Sequence, residues 1–182
     1  INACRQIVGQ GKMKSAKAWI EDVLGRDGKL IVFTVHTAPG RDLARHFRDK
    51  GFGVTAIVGD ETSKRRQKAV DAFQNDPECR LFVGSLDAAG TAITLTAASS
   101  VAFLEYGWKS TQHDQAADRA HRIGQKNAVN VYYFEDETTI DAHMAEVVSA
   151  KRQLIAQGVS GGETASALDV ARSVLSAESG ED

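Results

Sequence analysis

Apolar residues recur along the chain in two rhythms. Ala16, Trp19, Ile20, Val23 and Leu24 stand at i, i+3, i+4, i+7 and i+8, the spacing that turns one face of a helix toward a core, and Ser15 just ahead of them predicts its N-cap. "LIVFTV" from Leu30 is a continuous β-branched and aromatic run, the composition of a strand covered on both sides. A second amphipathic helix through Leu43, Ala44 and Phe47 is predicted to stop at Gly51, with "VTAIV" from Val54 as the next strand. Ser63 is predicted to cap a helix carrying Ala69, Val70 and Phe73 that ends before Pro77. "RLFVG" from Arg80, "VAFLE" from Val101 and "VNVYYF" from Val129 complete the strands. Apolar strands alternating with helices predict an α/β domain, a parallel sheet with helices on both faces and right-handed connections.

Beyond the last strand, Thr138 and Asp141 make a capping-box-like start for a longer helix through Ile140, Met144, Val147, Val148, Lys151 and Leu154 to Gly158. "GVSGGETA" has linker composition, and Leu168, Ala171, Val174 and Leu175 predict a short helix before the acidic end "AESGED". The expected organisation is one folded unit over 1–157, its last helix at about 139–157, followed by a linker, short helix and acidic tail over 158–182.

Composition narrows the classes. At 182 residues and 42% hydrophobic, the chain can bury one well-packed core. With 22 Lys plus Arg against 24 Asp plus Glu, any nucleic-acid contact has to come from a local patch, and Lys64, Arg65 and Arg66 are the densest candidate. Such a run also fits a merely solvated helix face. Cys4 and Cys79 have no metal-ligand spacing, so no metal site is expected. Without a signal peptide or an apolar run of membrane-spanning length, an intracellular, reducing location is expected and no membrane contact. The start at Ile1 rather than Met leads us to expect a piece of a longer polypeptide.

Two segments imitate nucleotide chemistry. "GQGKMKS" has the look of a phosphate loop, but Gln6 holds the first glycine position, Met13 follows the lysine and no strand precedes it. "VYYFEDET" is a strand followed by acids, which without a phosphate loop in the same chain has no phosphates to serve. "QAADRAHRIGQ" is different. If helical, it puts Gln115, Arg119 and Arg122 on one face at about 100° per residue, beside an apolar stripe of Ala116, Ala120 and Ile123. By spacing alone this fits either a surface helix with salt-bridged arginines or two guanidiniums aimed at an external anion.

"DQAADRAHRIGQ", Asp114 to Gln125, resembles motif VI of the Swi/Snf-type DNA translocases of helicase superfamily two. Other segments match that family in order. "GKMKSAKAWIEDVL" is similar to the helix entering the second motor lobe, and "KLIVFTVHT" to motif IV. "GDETSKRRQKAVDAF" resembles the Gly-Ser-Thr segment, with Arg66 and Phe73 in register, and "SLDAAGTAITLTAA" resembles motif V, followed by "VAFLEYGW" ending on the family tryptophan, here Trp108. The Ala-Ala in motif V most resembles the annealing-helicase branch. The resemblance covers about residues 10 to 157.

The resemblance implies a second RecA-like lobe, with ATP and its Mg²⁺ held by a first lobe that this chain does not contain. It implies Arg122 as arginine finger, Arg119 as its partner, Gln115 near the γ-phosphate, and Gly90 and Ala92 in motif V beside the nucleotide. It further implies double-stranded DNA as partner, contacted through Thr34, His36, Lys64, Arg66, Ser85 and Trp108, with no obligate homo-oligomer. Trp108 fits equally an ordinary core aromatic, His121 a packing or hydrogen-bonding residue, and the 139–157 helix either a brace across the first lobe or a simple terminal helix. A strand-separating helicase lobe and a non-catalytic nucleic-acid-binding module are the alternative functions. Three departures matter: Asp60 and Glu61 replace Ser-Thr and put carboxylates near the expected phosphate path, while Ala92 and Thr94 replace Gly and Asn.

Overall fold

A computed structural model of the chain describes residues 12–89, 93–105, 107 and 110–134. In chain order the elements are α1 (Met13–Asp27), β1 (Leu30–Thr34), α2 (Thr37–Asp49), β2 (Gly53–Ile57), α3 (Ser63–Asn75), β3 (Cys79–Ser85), the single turn α4 (Leu86–Ala89), β4 (Ser100–Phe103), α5 (Ser110–Ala117) and β5 (Asn130–Tyr133). The five strands form one sheet in the order β2-β3-β1-β4-β5, every neighbouring pair parallel.

The central strand explains the rest. Leu30 to Thr34 is buried at every position, because its even and odd side chains feed different cores. Leu30 and Val32 join Ile20 and Leu24 of α1 and Leu43 and Phe47 of α2 on one face. Ile31 and Phe33 join Val70 and Phe73 of α3 and Ala116 of α5 on the other. The step from β1 to β2 runs one way across the sheet and puts α2 on the first face. The later steps run the opposite way and put α3 and α5 on the second face, as one constant handedness of connection requires.

Helix stops follow the sequence closely, with Gly51 at φ 88 just after α2 and α3 ending two residues before Pro77. Two starts differ. α3 is capped by Thr62, whose Oγ1 accepts from Arg65 N at 3.4 Å, so Ser63 is its first residue rather than its cap. α1 begins at Met13, upstream of Ser15, without a side-chain cap; burial of Met13 in the core and donation from Lys12 Nζ to the Phe134 carbonyl at 2.8 Å hold its first turn instead.

One row of the second face is aromatic. Phe33, Phe103 and Tyr133 are register partners across β1, β4 and β5, with ring centroids 5.6 and 5.0 Å apart and planes within 26° and 15°. Gly84 is the next member on β3, and a Cβ there would stand 3.0 Å from both Phe33 Cε1 and Phe82 Cε1. The missing side chain is the space those rings occupy. Gly84→Val is therefore expected to destabilise the fold by about 1–3 kcal/mol, the usual cost of overpacking, read as a lower denaturant midpoint. A midpoint equal to that of the unaltered chain would show that the rings have room to move.

α1 and α2 are tied by Asp42, whose carboxylate accepts from Lys17 Nζ and Arg45 Nη2, each at 2.8 Å. The Lys17 hydrogen bond, with Arg45 assisting, holds Asp42 below the usual carboxylate range. A carboxyl depressed in the folded state stabilises above its unfolded value and loses that contribution as pH falls through the folded one. Asp42→Asn is accordingly expected to cost up to about 1 kcal/mol at pH 7, the exposed-pair range, and to match the unaltered chain once pH has fallen below the depressed Asp42 value. Parallel pH-stability curves for the two proteins would contradict this.

Candidate functional site

The polar edge of the molecule lies at the carboxyl ends of the strands. The connection after β1 leaves on the opposite face from those after β3 and β4, which makes β1 a switch point, the place where open parallel sheets bind ligands. Thr34 and Ser85, the last residues of β1 and β3, are register partners here, so two positions far apart in sequence meet. Both side chains are buried. Thr34 Oγ1 donates to the His36 carbonyl at 3.0 Å, which makes it a link beneath the loop rather than an open contact surface.

His36 caps the start of α2 and lies against Glu105, just past β4. Glu105 Oε2 accepts from Val35 N and His36 N, each at 2.9 Å, and Oε1 lies 2.7 Å from His36 Nδ1. The carboxylate is thus buried with three partners on one turn. Glu105 lies within the "VAFLEYGW" segment, where the family resemblance gives it no role. Its only sequence signal is an acid ending an apolar strand, a feature shared with ordinary solvated turns.

The loop from Gly59 to Thr62 departs from expectation in a useful way. Glu61 turns inward, Oε1 accepting from Val58 N at 3.2 Å, and its Oε2 is buried without a partner. Of the two acids only Asp60 is exposed. Arg66 is a strut: Nε donates to the Glu61 carbonyl at 3.0 Å and Nη2 to that of Gly59 at 3.3 Å. Lys64 and Arg65 are exposed on the first turn of α3.

The segment from Gln115 to Gln125 is not one continuous helix. α5 stops at Ala117, and Arg119 N and Ala120 N then bond the carbonyls of Ala116 and Ala117, three residues back. The chain passes through turns to Gly124 at φ 107, a conformation only glycine adopts freely. The alternation of small apolar residues hid this break, because long-range bonds impose it: Leu95 N donates to the Arg119 carbonyl at 2.8 Å. Gln115 stays on α5, exposed, while Arg119 and Arg122 lie on the turns beyond it. Ala116 and Ala120 are buried as expected, but Ile123 is fully exposed, and His121 is exposed as well.

The two arginines still come together. Burial lowers Arg119 from the ordinary guanidinium value, the like charge of Arg122 lowers it further, and Asp118 opposes. Arg122 Nη1 donates to Thr94 Oγ1 at 3.2 Å, so the residue replacing the family asparagine anchors the finger candidate. Two glutamines fix the segment that carries Thr94. Gln125 Nε2 donates to the carbonyls of Ala98 at 2.8 Å and of Thr96 and Ala120 at 3.3 Å, while its Oε1 accepts from Lys126 N and Asn127 N. Gln74 of α3 grips the other side, accepting from Ala97 N at 2.8 Å and donating to Thr96 Oγ1 at 3.1 Å. Gly90, Ala92 and Trp108 lie outside the described residues, as do the 139–157 helix and the 158–182 tail. Among the described residues no group of three or more His, Cys, Asp or Glu could hold a metal ion, and no helix is long and apolar enough to cross a membrane.

Comparison with known proteins places this geometry. Residues 14–124 match the helicase conserved C-terminal domain. The human DNA annealing helicase and endonuclease ZRANB3 is 34% identical over 151 residues, covering 82% of this chain and 14% of that protein. The Caenorhabditis elegans homologue of SWI/SNF-related matrix-associated actin-dependent regulator of chromatin subfamily A-like protein 1 is 37% identical over 129 residues, 71% of this chain and 19% of the relative. The chain thus spans less than a fifth of the length of these relatives. Among solved structures, the SWI2/SNF2 ATPase core of Sulfolobus solfataricus in complex with double-stranded DNA aligns with a TM-score of 0.65 at 29% identity over 79% of this chain and 30% of that one. The C-terminal part of the Fun30 ATPase domain aligns with a TM-score of 0.69 at 25% identity, over 75% and 44% of the two chains. A five-stranded parallel sheet of this order, with a pinned double-arginine turn at its edge, belongs to the helicase conserved C-terminal domain family, as a second RecA-like lobe of the Swi/Snf type.

Proposed function

We propose that this chain is the second motor lobe of an ATP-dependent double-stranded DNA translocase, completing a nucleotide site whose other half belongs to a first RecA-like lobe. The observation that carries the reading is the turn on which Arg119 and Arg122 both stand, bonded to the Thr94 segment through the Arg119 carbonyl and the Arg122 side chain. Guanidiniums offer several N–H donors in a planar fork that matches phosphate oxygens, and a triphosphate is the ligand they suit. The donor set fits ATP phosphates. In this reading Mg²⁺ is carried by the first lobe.

ATP supplies the transferable phosphoryl group, and this lobe supplies charge and position. Arg122, tethered through Thr94, acts as the finger that stabilises negative charge spreading over the phosphate oxygens, and Arg119 assists it. Gln115 stands one helix turn before Arg119 and is the candidate to orient the attacking water. Gly90 and Ala92 complete the nucleotide side. On the DNA side, His36, Lys64 and Trp108 are candidates to follow the backbone of one strand, with Ser85 and Thr34 beneath the edge and Arg66 bracing the Gly59 loop. The solved relative in complex with double-stranded DNA favours duplex over a single strand as the track.

In a two-lobed protein carrying this lobe, Arg122→Ala is expected to lower duplex-stimulated ATP turnover by about 10³-fold or more, the worth of an arginine finger, with thermal stability unchanged. Near-normal turnover would make this turn structural and bring the binding-module reading forward. Gln125→Ala is expected to behave differently, lowering the melting temperature along with turnover, because it orphans several backbone groups at once. The 182-residue chain alone is expected to show no measurable ATP turnover, and stimulation by single-stranded but not blunt duplex DNA in the two-lobed protein would favour the strand-separating alternative.

A further inference from the structure

Glu105 has no part in the reading above, yet it is the best-bonded buried carboxylate at the switch point. One oxygen closes the backbone of the β1–α2 turn through Val35 N and His36 N, and the other faces His36 Nδ1 at 2.7 Å. The His36 side chain keeps 16% of its surface open while that of Glu105 keeps 5%, so the acid is the inner member of the pair and the imidazole the outer. A carboxylate only accepts, so the proton between them sits on Nδ1 and the other ring nitrogen, Nε2, is left to meet a ligand.

We propose that Glu105 is a positioning residue that holds His36 with Nδ1–H turned inward, so that Nε2 is presented to a phosphate oxygen of a nucleic-acid backbone. This deepens the nucleic-acid reading of the strand edge and rests on it. A phosphate at Nε2 is met by a ring carrying a second proton from solvent, and the imidazolium then bridges the carboxylate and the phosphate. The arrangement is that of a carboxylate orienting a histidine that binds through its other nitrogen. It also answers an electrostatic difficulty, since a buried acid beside a phosphate track would repel the strand unless a cation stood between them.

Glu105→Gln separates this role from a structural one. The glutamine oxygen can still accept from Val35 N and His36 N, but its amide nitrogen donates to Nδ1 and moves the ring proton to Nε2, leaving a neutral ring. The experiment reads ¹⁵N spectra of the histidine rings in the 182-residue chain, and binding of fluorescent blunt duplex DNA at low salt by the two-lobed protein carrying this lobe. The expected result is Nδ1–H at His36 in the unaltered chain, Nε2–H in Glu105→Gln with the melting temperature retained, and duplex affinity weaker by about tenfold, the difference between a charge-assisted and a neutral hydrogen bond. His36→Gln should weaken binding comparably, and the double variant no further, since the two residues act as one unit. An Nε2–H tautomer in the unaltered chain, an affinity unchanged or raised by Glu105→Gln, or additive losses would overturn the proposal while leaving the nucleic-acid reading intact. Failure of the unaltered two-lobed protein to bind duplex would sink both.

Discussion

A parallel strand hydrogen-bonded on both sides and covered on both faces has only its ends left for anything else, and β1 is in that position. Its five residues are buried, its neighbours β3 and β4 are both in register with it, and each side chain is committed to one of two cores. The reversal of connection direction around it opens the sheet only at the carboxyl edge. The His36 and Glu105 pair and the Gly59 loop stand on that edge, while the arginine turn is bonded to the segment that leads into the amino end of β4.

What holds the arginine turn is a different kind of force. The stretch from Thr94 to Ala98 has no regular secondary structure, so its backbone groups need partners from elsewhere. Gln74, Gln125 and the Arg119 carbonyl supply them. Neutral amides suit this task because each offers both a donor and an acceptor and adds no charge beside two guanidiniums already close together. The candidate catalytic groups are therefore mounted on hydrogen bonds rather than on a packed helix face.

All five strands were legible in the sequence; β1, β3 and β4 because a strand buried on both sides has to be apolar throughout, and the half-buried β2 and largely exposed β5 by their β-branched and aromatic residues. Helix ends marked by Gly51 and Pro77 were equally plain, since backbone geometry at those residues is decided locally. What could not be read was set by partners far away in the chain. Residue spacing continued the helix through Arg122, and bonds to Leu95 and its neighbours, more than twenty positions upstream, hold it in turns instead. Ile123 completed an apolar stripe on paper but stands in solvent once the helix has broken. Glu61 looked like a charge on the surface and is folded under it, and Glu105 looked like a turn residue and is the partner of a histidine about seventy positions away. The motif resemblance identified Arg119 and Arg122 as a pair without revealing the glutamines that mount them.

α3 has a consequence of its own. It is a helix of 13 residues, which at 1.5 Å per residue is a rod about 20 Å long. Near one end are the exposed Lys64 and Arg65, and near the other Gln74 bonds the segment on which Arg122 is anchored. Val70 and Phe73 bury its inner side, so it cannot bend without opening the core. The exposed cations and the segment that anchors Arg122 are therefore the two ends of one rigid element, their separation fixed by its length.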